Sequence, residues 1–190
     1  EKETIMDNFS IAQAIQDILD KYPESRRLLA DTRVQWANPG MLQDRQWAEH
    51  YPVDEPGPPH QPNPFYGTNT IVLNENKIRG TGNPEVLEET ILGDSLHNLP
   101  NTNPALYNRF SSGADEKYLS AMRERQVREG DNRPFEQWRK RSGDDAMIRG
   151  ALLQNYPGHR RQGWSGIEKR FPFSKQQYMA LGDIKRSIGF

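Results

Sequence analysis

Cysteine is absent from all 190 residues, which removes disulfides, thiolate zinc sites and cysteine nucleophiles together. Long apolar runs are missing too: none reaches bilayer-spanning length, and the opening Glu1-Lys2-Glu3-Thr4-Ile5-Met6-Asp7 is too charged for a secretory signal. A soluble chain with no membrane partner is the expectation. Apolar side chains make up only 34% of residues and mean hydropathy is −0.95, so a modest core and long surface segments are expected, with reliance on a protein partner. Histidine is scarce. His50, His60 and His159 lie among prolines, glycines or charges and read as exposed, which leaves His97 as the one histidine inside a helical pattern.

The first hundred residues are short of positive charge. They hold 8 Lys/Arg against 16 Asp/Glu, a balance of −8, whereas residues 101–190 hold 17 against 10, a balance of +7. Two explanations stand: the halves neutralise each other, or the basic half offers a face to nucleic acid or an acidic partner. The tract from Arg123 to Arg141 carries seven cations, but Glu124, Glu129, Asp131 and Glu136 dilute it to +3; His159-Arg160-Arg161 joins it later. Nucleic-acid binding is therefore expected to be weak. Gly80-Thr81-Gly82 lacks the flanking fingerprint of a phosphate loop.

What is present points to a mainly α fold with a minor β component (α+β), one domain over residues 1–190. Ser10 to Lys21 opens with Ser-x-x-Gln and carries Ile11, Ala14, Ile15, Ile18 and Leu19 on one stripe, an amphipathic helix. A second helix is expected from Glu24 to about Arg33. Six prolines between Pro52 and Pro64 dominate a segment, Trp47 to Gly67, that should wrap the surface as a proline-rich arm, held by Trp36, Trp47, Tyr51, Phe65 and Tyr66. Thr70 to Leu73 reads as a strand, and Lys77 to Arg79 as a second extended piece after an Asn-Glu-Asn turn. Asn83 to Pro100 reads as the central helix, followed by a loop over Asn101 to Ser112 with a Tyr107/Phe110 anchor. Later helices are expected from Asp115 to Glu129, with Tyr118, Leu119, Met122 and Gln126 inward, and from Asn132 to Ser142, presenting Phe135 and Trp138. Two more follow, one from Asp144 to a break at Tyr156-Pro157-Gly158 and one from Ser174 to Ser187 with Tyr178, Leu181, Ile184 and Ile188 inward.

The candidate site lies in the central helix. Asp94 and His97 are three apart and project from neighbouring points of one face, so a carboxylate and an imidazole meet there in reach of a shared proton, water or metal. Glu89, or a carboxylate of Asp144/Asp145, is the candidate to complete the set. The simpler role for His97 is a ring nitrogen bonded to a local carboxylate or carbonyl. Gly93-Asp94-Ser95-Leu96 spells the nucleophile signature of the GDSL lipases, but that family's serine follows a buried strand early in its domain and takes its base from a distant Asp-x-x-His, neither of which occurs here.

Two resemblances follow from these residues. The central helix resembles the His-Glu-x-x-His helix of zincin metallopeptidases, with His97 at the second histidine, Asp94 at the glutamate and Gly93 where the first histidine stands. It implies a degenerate hydrolase-like site with Asp94 and His97 as catalytic residues, and Asp94, His97 and Glu89 as ligands of a metal, zinc by the family's chemistry. From Trp47 onward the order Pro56-Gly57-Pro58-Pro59, Gly93-Asp94-x-x-His97, Asn-Pro, Arg133-Pro-Phe-Glu-Gln-Trp138 and Ile148-Arg-Gly150 resembles uncharacterised tailed-bacteriophage proteins. That implies a virion or host-cytoplasm setting with virion or host proteins as partners. The functions expected are a degenerate zincin-like protein, a virion assembly protein docking through its proline-rich arm and charged faces, or a host-directed or nucleic-acid-binding protein.

Overall fold

The computed structural model describes residues 7–154 and 171–190, so the expected break at Tyr156-Pro157-Gly158 and the His159-Arg160-Arg161 cluster lie outside the described residues. The fold is mainly helical with one small sheet, as the sequence patterns predict. The chain divides into two compact units, Glu1–Ser95 and Leu96–Phe190.

In the first unit, α1 (Ile11–Lys21) starts where Ser10 caps the Gln13 amide through its hydroxyl, and Ala14 and Ile18 bury its inner stripe. The expected helix to Arg33 is much shorter: a 3₁₀ turn (Pro23–Ser25) and α2 (Arg26–Leu29) give way at Asp31, which adopts a positive φ of 56°. The chain then turns extended as β1 (Thr32–Trp36), which joins β2 (Ala48–Tyr51) and β3 (Asn69–Leu73) in the order β1-β3-β2. Only β3 has the apolar run that marks a strand in sequence, because it alone is central and buried. It pairs in parallel with β1, Thr32 opposite Asn69, and antiparallel with β2, Tyr51 opposite Thr70. The Asn69 amide spans all three strands, donating to Thr32 Oγ1 at 3.0 Å and accepting from His50 Nε2 at 2.6 Å. His50 is thus half-buried, not exposed as expected.

Lys77 to Arg79 is helical. Asn74 caps α3 (Glu75–Arg79), its side chain accepting from the Lys77 amide at 3.1 Å, so the expected turn residue is a helix start. This helix also anchors the two tryptophans: Lys77 lies over the Trp47 ring at 4.5 Å, and Arg79 over Trp36 at 5.4 Å while paired to Asp7 and Glu75 at 2.8 Å each. α4 (Glu85–Ser95) packs on α1, β2 and β3 with Val86, Leu87, Ile91 and Leu92 buried, and its Glu88 clamps Lys21 of α1 at 2.9 Å.

The expected single helix through Pro100 breaks at Ser95. Pro100 has no amide hydrogen to offer the Leu96 carbonyl and its ring crowds that oxygen, so the ladder tightens to a 3₁₀ turn (Leu96–Asn98) before α5 (Leu99–Thr102). The break is also the unit boundary. The expected loop at 101–112 is helical as well, because Pro104 opens α6 (Pro104–Ser112) from a first-turn position where its missing amide costs nothing. α7 (Glu116–Glu129) runs from an Asp115 cap to Gly130 in the left-handed region. Then come α8 (Phe135–Trp138), a π turn (Arg139–Gly143), α9 (Asp144–Leu153) and α10 (Lys175–Ile188), the last opened by a Ser174/Gln177 capping box. Tyr178 is 45% exposed, and Gln177 and Ala180 take the inward positions instead. Phe135 is only half-buried, beneath the Arg123 guanidinium at 4.8 Å.

In the proline-rich segment the largest set of side-chain hydrogen bonds belongs to one residue the composition hides. Asn63 donates to the carbonyls of Glu55 at 2.8 Å and Pro52 at 3.1 Å, accepts from the Phe65 amide at 2.8 Å, and gives its own amide to Pro56 at 2.7 Å. Tyr51 and Phe65 add an edge-to-face contact at 5.2 Å, whereas Tyr66, expected as an anchor, is 63% exposed. Gly57 makes the tight turn, with φ +76°, and a Cβ there would stand 2.7 Å from both Asn63 N and Gln61 O. Gly57→Ala is expected to cost about 1–3 kcal/mol. Asn63→Ala should open the loop to chymotrypsin at Phe65 and Tyr66 without a comparable loss of global stability. Equal protease resistance of the Asn63 variant and the wild type would show that the aromatics alone hold the segment.

Candidate functional site

α4 carries Glu89 and Asp94 in the first unit, the former 4% exposed and the latter half-buried. His97 falls in the 3₁₀ turn that opens the second unit. Among the described residues no three His, Asp or Glu side chains gather where they could hold a metal ion, so zinc has no donor set of three there.

His97 has a different, well-defined partner. Its Nδ1 lies 2.8 Å from Asp145 Oδ2, which is also bonded at 3.1 Å by Arg149 Nε from one turn along α9. The imidazole is 28% exposed and Asp145 only 6%. A carboxylate at Nδ1 commits the ring proton to that side in the neutral form, which puts the lone pair on Nε2, the tautomer a general base uses. Burial pulls the Asp145 carboxyl upward, but the hydrogen bond from His97 and the charges of His97 and Arg149 outweigh it and hold it below the usual carboxylate range.

One residue earlier on the same helix, Asp144 has a different set of partners and is wholly buried. It accepts from Ser111 Oγ at 2.5 Å, Tyr118 Oη at 2.6 Å and Arg139 Nη1 at 2.8 Å. Burial raises its carboxyl above the ordinary value in spite of these three donors, and raises the Tyr118 phenol well above its own. Arg139 reaches Asp144 because the π turn inserts one residue more than an α-helix would, five positions separating guanidinium from carboxylate. Tyr107 Oη ties the same turn at the Lys140 carbonyl, 2.7 Å away. Tyr118 could be read as an inward residue of its helix, but nothing in sequence joins it, Ser111 and Arg139 to Asp144, since a π turn leaves no mark in the hydrophobic period and the three come from three elements. Asp144 and Asp145, as a helix-opening pair, were the one visible clue.

The first unit has a concavity. A groove of about 360 Å³ lies between β2 and the proline-rich loop, walled by Tyr51, Pro58, Pro62 and Pro64, with Glu49 and Glu55 on its lining. Tyr51 Oη donates to Glu49 Oε2 at 3.0 Å, and burial together with that carboxylate pushes the phenol up to about 12. No helix among the described residues is long and apolar enough to cross a membrane. Comparison with family models, curated proteins and solved structures gives no significant match.

A lowered carboxyl contributes stability that is present above its unfolded value, near pH 4, and is lost as pH falls through the lower folded value. Asp145→Asn, which leaves Arg149 and His97 without their buried anion, is therefore expected to cost about 2–3 kcal/mol at neutral pH. The gap in Tm between wild type and variant should close below about pH 4. A gap independent of pH would mean that the Asp145 charge is not what the pair uses.

Proposed function

We propose that this protein is an assembly component of a tailed-bacteriophage particle and that it docks to neighbouring proteins through the proline-rich loop of its acidic unit. The observation that carries this reading is the loop itself. Sixteen residues from Pro52 to Gly67 are held by the Asn63 side chain, by the Gly67 amide donating to the Val53 carbonyl at 3.0 Å and by the Tyr51–Phe65 contact into one conformation that forms a groove, so little ordering entropy is left to lose when a partner binds. A linker between domains would not have that construction, and long structured loops of this kind are commonly binding elements. The phage setting rests on the resemblance of the Pro56–Pro59, Gly93–His97 and Arg133–Trp138 runs.

A second reading, a hydrolase-like centre at His97, is favoured by one observation, the Asp145 carboxylate at its Nδ1. In that case His97 serves as the base, oriented by Asp145. No step through zinc is supported by the donor groups present among the described residues. Asp94 then stands beside the base in sequence as the candidate second carboxylate.

Both readings have direct tests. Complementation of a phage carrying a stop codon in this reading frame should place the chain in purified particles or assembly intermediates, and Gly57→Ala should lower its incorporation and the plating efficiency together. Normal plating by the loop variant, with the chain missing from particles and intermediates, would sink the docking reading. For the hydrolase reading, His97→Ala should abolish turnover of ester and peptide substrates at a stability cost of about 1–2 kcal/mol, less than that of Asp145→Asn because Arg149 still pairs the carboxylate. A loss of several kcal/mol with no turnover in the wild type would make His97 and Asp145 a structural pair.

A further inference from the structure

The division of charge between the halves of the sequence coincides with the structural division. The unit ending at Ser95 holds 8 Lys/Arg against 16 Asp/Glu, and the unit starting at Leu96 holds 17 against 10. Within the acidic unit, Glu49 of β2 is half-buried on the groove wall. Its carboxylate accepts a hydrogen bond from the Tyr51 phenol, and among the described residues no cation pairs with it. A half-buried carboxylate with only a neutral donor retains most of its attraction for a cation. The groove, of about 360 Å³, combines proline and tyrosine surface with the carboxylates of Glu49 and Glu55 on its lining, a mixture suited to the stem and head of an arginine or lysine.

The basic unit displays such side chains. Arg128 near the end of α7 and Lys140 in the π turn are exposed, and neither has an ion-pair partner among the described residues. The elements that carry them are knitted together: Gln126 Nε2 of α7 bonds the Arg133 carbonyl at 2.7 Å, and Arg133 Nη2 bonds Ser142 Oγ of the π turn at 3.0 Å. Val127, next to Arg128, is 80% exposed, so an apolar contact is available beside the charge. Resting on the docking reading above, we infer that the partner of the acidic groove is the basic face of a second copy of this chain, so that the protein self-associates. Two different patches meet in such a contact, so it ends at a pair where the two contacts close reciprocally and otherwise propagates into a ring or a filament. Charge complementarity of this kind is strongly screened by salt.

Sedimentation velocity of the full chain at about 10 mM and about 1 M salt, where the screening length falls from about 30 Å to about 3 Å, reads this directly. The mean mass should exceed that of the monomer at low salt and return to it at high salt. Glu49→Gln with Glu55→Lys on one side, or Arg128→Glu with Lys140→Glu on the other, should each weaken self-association by roughly ten-fold or more. Mixed, the two variants should form a discrete heterodimer and stop there, because each supplies only the face the other lacks. The exposed Glu55→Lys change alone substitutes for the pair if the melting curve of the double variant shows a folding defect. A wild type that stays monomeric at low salt overturns the inference, as does a mixture that behaves as the sum of its parts. If the wild type is monomeric while Gly57→Ala still blocks incorporation into particles, the docking reading stands and only self-association fails.

Discussion

The basic unit depends on one buried carboxylate. Asp144 receives a hydroxyl from α6, a phenol from α7 and a guanidinium from the π turn, so the first residue of α9 fixes four elements at one point. An ion in that position is costly to desolvate, and it is tolerable only because three donors converge on it. The geometry constrains its surroundings closely. A Cβ at Gly143 would displace the Met122 methyl and crowd the Trp138 ring at 3.1 Å, and the guanidinium reaches the carboxylate only with the extra residue of the π turn in place. Asp145, the next residue, is directed to His97 and Arg149 instead. Adjacent carboxylates on one helix turn thus respond in opposite directions to burial and charge, one held above and one below the ordinary range.

That pair also marks the limit of what periodicity reveals. The helices at 11–21, 116–129 and 175–188 could be read directly, since each has a capping side chain and a clear apolar stripe, and β3 could be read because it is buried on both faces. The edge strands β1 and β2 could not. Their residues are half-buried and mixed in character, and their strand character comes from hydrogen bonds to β3 some twenty to forty residues away. Asn74 misled because asparagine starts turns and caps helices with the same side chain, and which it does is decided downstream.

The site divided in a similar way. His97 was visible as the lone helical histidine and Asp145 as a candidate carboxylate, and the structure joins them at 2.8 Å. The spacing from Asp94 to His97 assumed one uninterrupted helix, and the conflict between Pro100 and the Leu96 carbonyl removes that assumption. Asn63 was hidden by its neighbours: among six prolines a single amide side chain has no pattern to belong to, although it makes more backbone contacts than any aromatic nearby.

The strand order has a consequence for how the chain is made. β3 is the centre of the sheet yet the last of its strands to leave the ribosome, and β1 and β2 have no ladder with each other. Until residue 73 has emerged, nothing in the nascent acidic unit can form a sheet, and two edge sequences wait with unpaired backbone. The loop closed by Asn63 lies between β2 and β3 and shortens the search that joins them. Its prolines, unable to donate to a ladder, also keep the waiting segment from pairing with the wrong chain.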